Sequence, residues 1–231
     1  IRIGVNSGSL PKDLLEQYGH DDPRAFVEAA LREAAILEDV DFGDIVISVK
    51  STNTQTAFWA YQMLAEQCDY PLHVGITEAG TLEKGTIKSS VGIGAILLTG
   101  VGDTIRVSLT ADPVHEVRVA KQLLAACNLS AEGVDVIACP TCGRCQIDLI
   151  GLAESVEAKT RHIKTPLKVA VMGCVVNGPG EAAAADVGIA GGDGRGVLIK
   201  QGEIVKTLPE ADLEQALLDE IEQMTGEKIE R

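Results

Sequence analysis

The sequence predicts an α/β protein in which four strand–helix units are followed by a smaller α+β domain. In residues 1–130, short apolar strands alternate with amphipathic helices. Two of these helices open with an aspartate cap and a proline, at Asp22-Pro23 and Asp112-Pro113, and another is capped near Asn53. After Gly133 the alternation gives way to cysteine-rich loops, a hairpin and a final helix. We therefore place the domains at residues 1–130 and 131–231.

Each element of the first domain can be placed from its apolar pattern. The predicted strands are residues 1–5, 45–49, 72–76 and 104–109, and the third unit has its helix around residues 89–98. Strands that alternate with helices form a parallel sheet, because short right-handed crossovers allow little else. Four units amount to half of an eight-unit barrel or to most of an open doubly wound sheet.

The second domain begins with a strand at 134–138 that runs directly into Cys139. A helix with Leu149 and Val156 on its apolar face follows, and a strand at 167–172 ends just before Cys174. A strand–helix–strand order predicts two adjacent parallel strands, so both cysteine groups should emerge at one sheet edge. Next come a strand at 187–190, a hairpin turning at Gln201-Gly202, and a helix over 210–224.

The composition excludes several classes of function. A net charge of −14 and 3% aromatic residues argue against nucleic-acid binding, which favours basic surfaces and stacking rings. The sequence has no apolar run that approaches the length of a membrane span, and no signal peptide, so we expect a soluble protein. The six cysteines are unevenly spaced, which indicates a reducing compartment and not a disulfide framework.

Polar side chains recur where the first four predicted strands end. Parallel strands in a barrel bring their carboxyl ends together on one face, where ligand-binding and catalytic groups gather. The basic members of this set, together with Arg2 near the first strand, predict an anionic ligand. The strand-end residues are Asn6, Lys50, Glu78, Arg106 and Ser108.

The cysteines fall into two groups. Cys68 and Cys127 lie on core-facing helix stripes and are predicted to be structural. The other four are Cys139, Cys142, Cys145 and Cys174, of which the first three follow an x2, x2 spacing.

The overlapping spacing favours an iron–sulfur cluster over a zinc ribbon, which needs two separate knuckles, and thiol redox chemistry stays open. We expect a helix near Cys145 to aim its amino end at the site. Four thiolates would saturate a four-iron cluster and favour electron transfer. Three thiolates with an oxygen ligand such as Glu181, in a flexible Gly-Pro-Gly context, would leave one iron open.

Five segments of the chain resemble the 4-hydroxy-3-methylbut-2-enyl diphosphate synthase family, and the resemblance covers essentially all 231 residues. These segments are residues 1–6, 75–80, 106–109, 137–144 and 172–182. The resemblance implies a TIM barrel followed by a domain like those of sulfite and nitrite reductases. It also implies a [4Fe-4S] cluster held by Cys139, Cys142, Cys174 and Glu181, with Cys145 as a bystander.

The resemblance further implies a substrate and a reaction. The substrate would be 2-C-methyl-D-erythritol 2,4-cyclodiphosphate, opened by a two-electron reduction with loss of water. Glu78 and Glu181 are candidates for handling the proton of the departing water. The substrate-contacting residues implied by the family are Arg2, Asn6, Lys50, Glu78, Arg106, Ser108 and Asn177.

The partners follow from the same resemblance: ferredoxin or flavodoxin as electron donor, and a second copy in a homodimer. The location would be the bacterial cytoplasm or the plastid stroma. The family's barrel has four earlier strand–helix units, so we expect this chain to be a carboxy-terminal portion that binds a cluster without turning over alone. The alternative hypothesis is a non-catalytic electron-transfer module or a zinc-stabilised scaffold.

Overall fold

The computed structural model describes residues 1–230. It divides the chain into two compact units, Ile1–Ser130 and a second unit that begins at Ala131. Each unit has its own strands and its own buried apolar residues.

The first unit is built on four parallel strands that neighbour one another in chain order. They are β1 (Arg2–Asn6), β2 (Val46–Lys50), β3 (His73–Gly75) and β4 (Thr104–Arg106). β1 pairs with β2 and β3 pairs with β4, while one bridge between Ile47 and Leu72 links the two ladders. Within the described residues β1 and β4 are not paired, so these strands do not form a closed barrel.

Helices follow the strands as the sequence predicts. They are α1 (Lys12–Tyr18), α2 (Pro23–Glu38), α3 (Thr54–Gln67), α4 (Leu82–Leu97) and α5 (Pro113–Ala126). The three predicted caps are confirmed, because Asp22, Asn53 and Asp112 each accept a hydrogen bond from a backbone N–H of the first turn. The helix α1 and a 3₁₀ turn at Ser7–Ser9 occupy a stretch predicted to be a loop.

Two predicted boundaries in the first unit are wrong. The helix predicted around residues 89–98 begins at Leu82, seven residues earlier, although Thr81 makes no side-chain cap bond there. Its interior glycines lower helix propensity, and of the added residues 82–88 only Gly85 is buried, so neither an apolar stripe nor a cap marks this start in the sequence. The fourth strand ends at Arg106 and not at residue 109.

The two faces of the first sheet differ in chemistry. Alternate residues such as Ile3, Val5, Ile47 and Val49 are buried and belong to the apolar core shared with the helices. The opposite face carries polar side chains, so the amphipathic pattern separates a structural face from one available for chemistry.

The second unit has a five-stranded mixed sheet in chain order. Its strands are β5 (Val134–Ala138), β6 (Leu167–Met172), β7 (Val187–Gly191), β8 (Arg195–Lys200) and β9 (Glu203–Pro209). β5, β6 and β7 are parallel, and β8 and β9 run antiparallel to their neighbours. The predicted hairpin turn is confirmed at Gln201 and Gly202, both of which have positive φ.

Helices cover both faces of this sheet. They are α6 (Leu149–Thr160), α7 (Gly178–Ala182) and α8 (Leu213–Thr225), and a 3₁₀ turn at Glu210–Asp212 precedes α8. Residues of α6 and α8 pack with the branched side chains of one sheet face, and α7 packs on small residues such as Ala170 and Ala190 of the other. The helix expected near Cys145 begins at Leu149 instead, where Asp148 accepts a hydrogen bond from the Gly151 N–H.

The outer strand β9 is exposed along most of its length. It carries Glu203 and Lys206, ends at Pro209, and its pairing with β8 shifts register between Leu198 and Ile199. In the described part of the chain, no helix is both long and apolar enough to cross a membrane.

Candidate functional site

One side of the first sheet forms a polar face. Side chains two residues apart in a strand point to the same side of the sheet. The register of each strand pair places such residues of one strand beside those of its neighbour. Three of its side chains are buried despite their polarity: Ser48, Lys50 and His73. We define the polar face as Arg2, Ser48, Lys50, His73, Thr104 and Arg106.

Lys50 is the centre of a buried hydrogen-bond chain. Its Nζ donates to Ser48 Oγ at 2.5 Å, and Ser48 Oγ donates to the backbone oxygen of His73 at 2.7 Å. The lysine stem passes close to Gly75, where a Cβ would lie 3.5 Å from Lys50 Cε and 2.9 Å from the Arg106 oxygen. A side chain at position 75 would therefore collide with the β4 backbone at Arg106, while making only an ordinary contact with Lys50.

The electrostatics of this face favour an anion. Burial, followed by the nearby charges of Arg106 and Arg2, lowers the pKa of Lys50 to about 8. Burial and the charges of Arg2, Lys50 and Arg106 also lower the pKa of His73. A negative ligand would offset the repulsion that the Lys50 ammonium experiences from Arg106 and Arg2. The sheet thus brings Arg2, Lys50 and Arg106 near one another, while their role in binding stays a prediction.

Tyr61 connects α3 to the sheet at the junction between β2 and β3. Its hydroxyl donates to the His73 backbone oxygen at 2.6 Å, and burial raises its pKa to about 12 despite the backbone groups of Val49 and Gly75 nearby. Between β2 and β3 the described chain has no continuous ladder, but it has the bridge between Ile47 and Leu72 and a bond from the Thr77 N–H to the Ser51 oxygen. A side-chain hydroxyl thus supplies part of the bonding that a continuous ladder would provide.

Glu78 lies just beyond β3 in a strained backbone conformation. Its φ is 51°, in the left-handed region that is costly for a residue with a Cβ. Thr52 Oγ1 donates to Glu78 Oε2 at 3.0 Å, which gives the carboxylate a defined position. Asn6 lies opposite Lys50 in the β1–β2 register, and Ser108 follows β4 without being part of it.

The cysteine loops emerge together from the second sheet, as the sequence predicts. Cys139 directly follows β5, and Cys174 lies two residues after β6. The two strands are parallel neighbours, with Ala138 opposite Val171. Both loops therefore begin at the same sheet edge.

Gly173 ties the two cysteine loops together. Its N–H donates to Cys139 Sγ at 3.4 Å, and its carbonyl accepts from the Gln146 N–H at 3.1 Å. A Cβ at position 173 would lie 2.6 Å from Cys145 Sγ, so Cys145 fills the space that a larger residue would need. Cys145 is half-buried and its thiol donates to the Ile147 oxygen at 3.4 Å. This packing supports a structural role for Cys145.

Hydrogen bonds lower the pKa of two of the thiols, those of Cys142 and Cys174. Backbone and side-chain hydrogen bonds from Arg144 lower the pKa of Cys142. Hydrogen bonds from the backbone groups of Asn177, Gly178 and Val176 lower the pKa of Cys174. Metals and clusters are bound by thiolates, so this donor set fits a thiolate-ligated group.

Glu181 lies in the first turn of α7, in a short helix and not in the flexible segment predicted from its glycines. Its side chain is exposed, and Asn177 precedes the same helix. Among residues 1–230, no three His, Cys, Asp or Glu side chains are arranged to hold a single metal ion. A cluster spreads its ligands over separate irons, so the assignment of Cys139, Cys142, Cys174 and Glu181 stays a prediction.

The other two cysteines lie elsewhere. Cys68 and Cys127 end α3 and α5 and pack against the first apolar core, and burial raises the pKa of Cys68. These contacts agree with the structural role predicted for both.

Sequence reasoning missed Ser48, Thr52, His73 and Gly173. Ser48 stands two residues before Lys50, so strand alternation alone places it on the same face as Lys50. The position of His73 follows from the same rule in β3. The contacts of Thr52 and Gly173 join segments far apart in sequence, and no local signal indicates them.

Two family models match the chain. The GcpE TIM-barrel domain matches residues 1–121, and the GcpE protein C-terminal domain matches residues 135–223. The change from one model to the next lies close to the boundary between the two compact units.

Three relatives share the name 4-hydroxy-3-methylbut-2-en-1-yl diphosphate synthase (flavodoxin). The protein of Caldanaerobacter subterraneus subsp. tengcongensis is 60% identical over 99% of this chain and 64% of its own length. Those of Geobacter sulfurreducens and Brevibacillus brevis are 57% and 56% identical over 99% of this chain, and over 65% and 63% of their own lengths. This chain thus spans just under two thirds of the curated relatives it matches, and the similarity confirms the resemblance. The chain belongs to the GcpE family.

Proposed function

We propose that the chain takes part in reductive opening of 2-C-methyl-D-erythritol 2,4-cyclodiphosphate to 4-hydroxy-3-methylbut-2-enyl diphosphate, a step of isoprenoid biosynthesis. The observation that carries this proposal is the polar face, where burial and then the nearby charges of Arg106 and Arg2 lower the pKa of Lys50. Such a face favours a multiply charged anion such as a diphosphate. The names of the relatives support the same product.

In this proposal Arg2, Lys50 and Arg106 bind the diphosphate. Lys50 is held by Ser48, so its ammonium is oriented before the ligand arrives. Asn6, opposite Lys50 in the register, and Ser108, after β4, add neutral hydrogen-bonding groups. Because Lys50 is buried, its attraction to a phosphate is weakened less by water than that of a surface lysine.

Glu78 is the candidate acid–base group of the same unit. Thr52 holds its carboxylate, and the left-handed backbone fixes the direction in which the side chain leaves the main chain. Glu78 would accept or deliver the proton of the departing water. Glu181 is the second candidate, and Asn177 is a further proposed substrate-contacting residue.

Cys139, Cys142, Cys174 and Glu181 would hold a [4Fe-4S] cluster. When bound, the cluster would supply the two electrons and an iron that polarises the leaving oxygen. The protein's part is to place the sulfur atoms and to favour the thiolate form of Cys142 and Cys174: Gly173 donates to Cys139, and backbone N–H groups at the start of α7 lower the pKa of Cys174. The domain would belong with those of sulfite and nitrite reductases.

The proposed electron donor is flavodoxin, as the relatives' names indicate, or ferredoxin. The proposed assembly is a homodimer in the bacterial cytoplasm, and the first unit is proposed as part of an eight-unit TIM barrel.

Anaerobic reconstitution with iron and sulfide tests the cluster. We expect visible absorbance and about four irons and four sulfides per chain. Cys142→Ala should lose both, whereas the matched control Cys68→Ala should retain them because Cys68 packs against the other core. Stoichiometric zinc with no iron would contradict the proposal and support the zinc scaffold.

Glu181→Ala separates a synthase from a pure electron-transfer module. Because this chain is not expected to turn over alone, the variant and the parent sequence are each placed in a longer chain that also carries the earlier strand–helix units, and formation of the product is followed with reduced flavodoxin and the cyclic diphosphate. A synthase loses turnover on this change, while a module that only passes electrons tolerates it. The matched control is Glu157→Ala, which removes an exposed carboxylate from α6 and should leave turnover unchanged.

A further inference from the structure

His73 has a buried ring nitrogen without a partner. Only 8% of the residue is exposed in β3. Nδ1 lies 2.8 Å from Thr104 Oγ1, whereas Nε2 makes no hydrogen bond to any of residues 1–230. Buried polar atoms are paired with few exceptions, so the unpartnered Nε2 calls for an explanation.

The surroundings of the ring disfavour its charged form. Burial, together with the charges of Arg2, Lys50 and Arg106, lowers the pKa of His73. A neutral imidazole has one donor and one acceptor nitrogen. The Thr104 hydroxyl can donate to Nδ1, and we assign the ring hydrogen to Nε2 on that basis. With this tautomer, the unpartnered Nε2 carries a hydrogen that it can donate, and it lies near the charges of Arg2, Lys50 and Arg106.

The backbone of His73 is fixed from two directions. Its carbonyl oxygen accepts from Ser48 Oγ at 2.7 Å and from the Tyr61 hydroxyl at 2.6 Å. Ser48 also accepts from Lys50 Nζ, so a single serine links the histidine backbone to the lysine ammonium. The ring and the ammonium are therefore held in a fixed relation.

We propose that His73 is a further ligand-binding residue of the polar face, and that its Nε2–H donates a hydrogen bond to an anionic oxygen of the bound ligand. The inference rests on the proposed function, because it names one more contact for the same phosphorylated ligand. A neutral donor adds a directed bond without increasing the repulsion among Arg2, Lys50 and Arg106.

The ligand probe for the test is inorganic diphosphate, titrated into the full 231-residue chain. The imidazole nitrogens of the four histidines are followed by ¹⁵N NMR. We expect Nε2 of His73 to be protonated and to shift on titration, while His20, His115 and His162 stay unchanged. This measurement needs no variant and does not depend on whether a substituted chain folds.

Calorimetric titration of variants with diphosphate measures how much the proposed His73 hydrogen bond contributes to binding affinity. His73→Leu should weaken diphosphate binding about tenfold or more, as loss of a hydrogen bond to a charged group does. His73→Gln places an amide N–H near the position of Nε2 and should restore most of the affinity. His115→Leu, on α5 outside the polar face, is the matched control and should bind as the parent chain does.

The outcomes separate the two proposals. If the parent chain binds diphosphate but the His73 nitrogens do not shift, the inference is overturned and the anion site stands. If diphosphate does not bind at millimolar concentration, the anion site fails and the role of His73 fails with it. A His73→Leu variant that folds and binds unchanged also overturns the inference.

Discussion

The two units hold their candidate functional side chains in different ways. In the first unit, Arg2, Lys50 and Arg106 belong to strands, and the register between neighbouring strands brings them to one face. In the second unit the cysteines lie on loops beyond the strand ends, and Gly173 joins those loops by a hydrogen bond to sulfur and one to Gln146. A site built on strands depends on the sheet, whereas a site built on loops depends on a few contacts between segments.

The largest effect is expected from the sheet that carries the polar face. Ile47 is fully buried in β2, beside the bridge to Leu72. Ile47→Ala should lower the free energy of unfolding by about 2–5 kcal/mol, because it removes buried methyl groups and leaves a cavity. Urea denaturation measures the loss. Ile36→Ala, at an exposed position of α2, should change it by no more than about 0.5 kcal/mol.

The lowered pKa of Lys50 should make the free energy of unfolding vary with pH in the alkaline range. Its pKa in the folded chain is about 8, against 10.5 for an ordinary lysine, so the unfolded chain binds more protons between these values. Stability should therefore rise as pH increases from 8 to 10.5, by at most about 3 kcal/mol for this group.

The measurement for Lys50 is the difference in unfolding free energy between the parent chain and Lys50→Gln at each pH. This difference removes the contribution of the other titrating groups. A constant difference across the range would show that Lys50 ionises normally and that the strands do not desolvate it.

The loop-held site is tested by Gly173→Ala. The added Cβ would meet Cys145 Sγ at 2.6 Å and Leu149 Cδ2 at 3.1 Å. We expect a loss of about 1–3 kcal/mol in unfolding free energy from overpacking. Gly180→Ala is the control, since a Cβ there would meet nothing within 4 Å. Equal effects of the two changes would mean that Gly173 does not join the loops.

The smallest effect is expected at the junction between the two strand pairs. Tyr61→Phe removes the hydroxyl that bonds the His73 oxygen, but Ser48 still donates to that oxygen. The loss should be about 1 kcal/mol, measured by urea denaturation. Tyr70→Phe, which breaks a solvent-exposed bond to Glu38, should cost less. A larger loss of unfolding free energy in Tyr70→Phe than in Tyr61→Phe would contradict the stabilising role given to the Tyr61 hydroxyl.

Local signals in the sequence predicted much of the fold. The caps at Asp22, Asn53 and Asp112 act through their own side chains on the next turn, so their effect is visible in a few residues. The start of α4 at Leu82 was missed because no side-chain cap marks it and its first three residues are exposed. The helix after the cysteine loop was placed too early because Gln146 is bonded to Gly173 of another segment.

The candidate sites were predictable to different extents for the same reason. Strand alternation is a local rule, and it was enough to bring Arg2, Lys50 and Arg106 together. It could not show that Lys50 and His73 are buried, because burial depends on what the rest of the chain places above them. The contact of Thr52 with Glu78 spans 26 residues and has no local signature.

The outer strand β9 has a consequence for how the protein behaves in a crowded solution. An unpaired strand edge can template hydrogen bonding with another chain and so begin aggregation. The charges of Glu203 and Lys206, the irregular pairing with β8 and the terminal Pro209 all make this edge a poor template. Replacing the two charged residues with valine would remove that protection while leaving the buried part of the sheet unchanged.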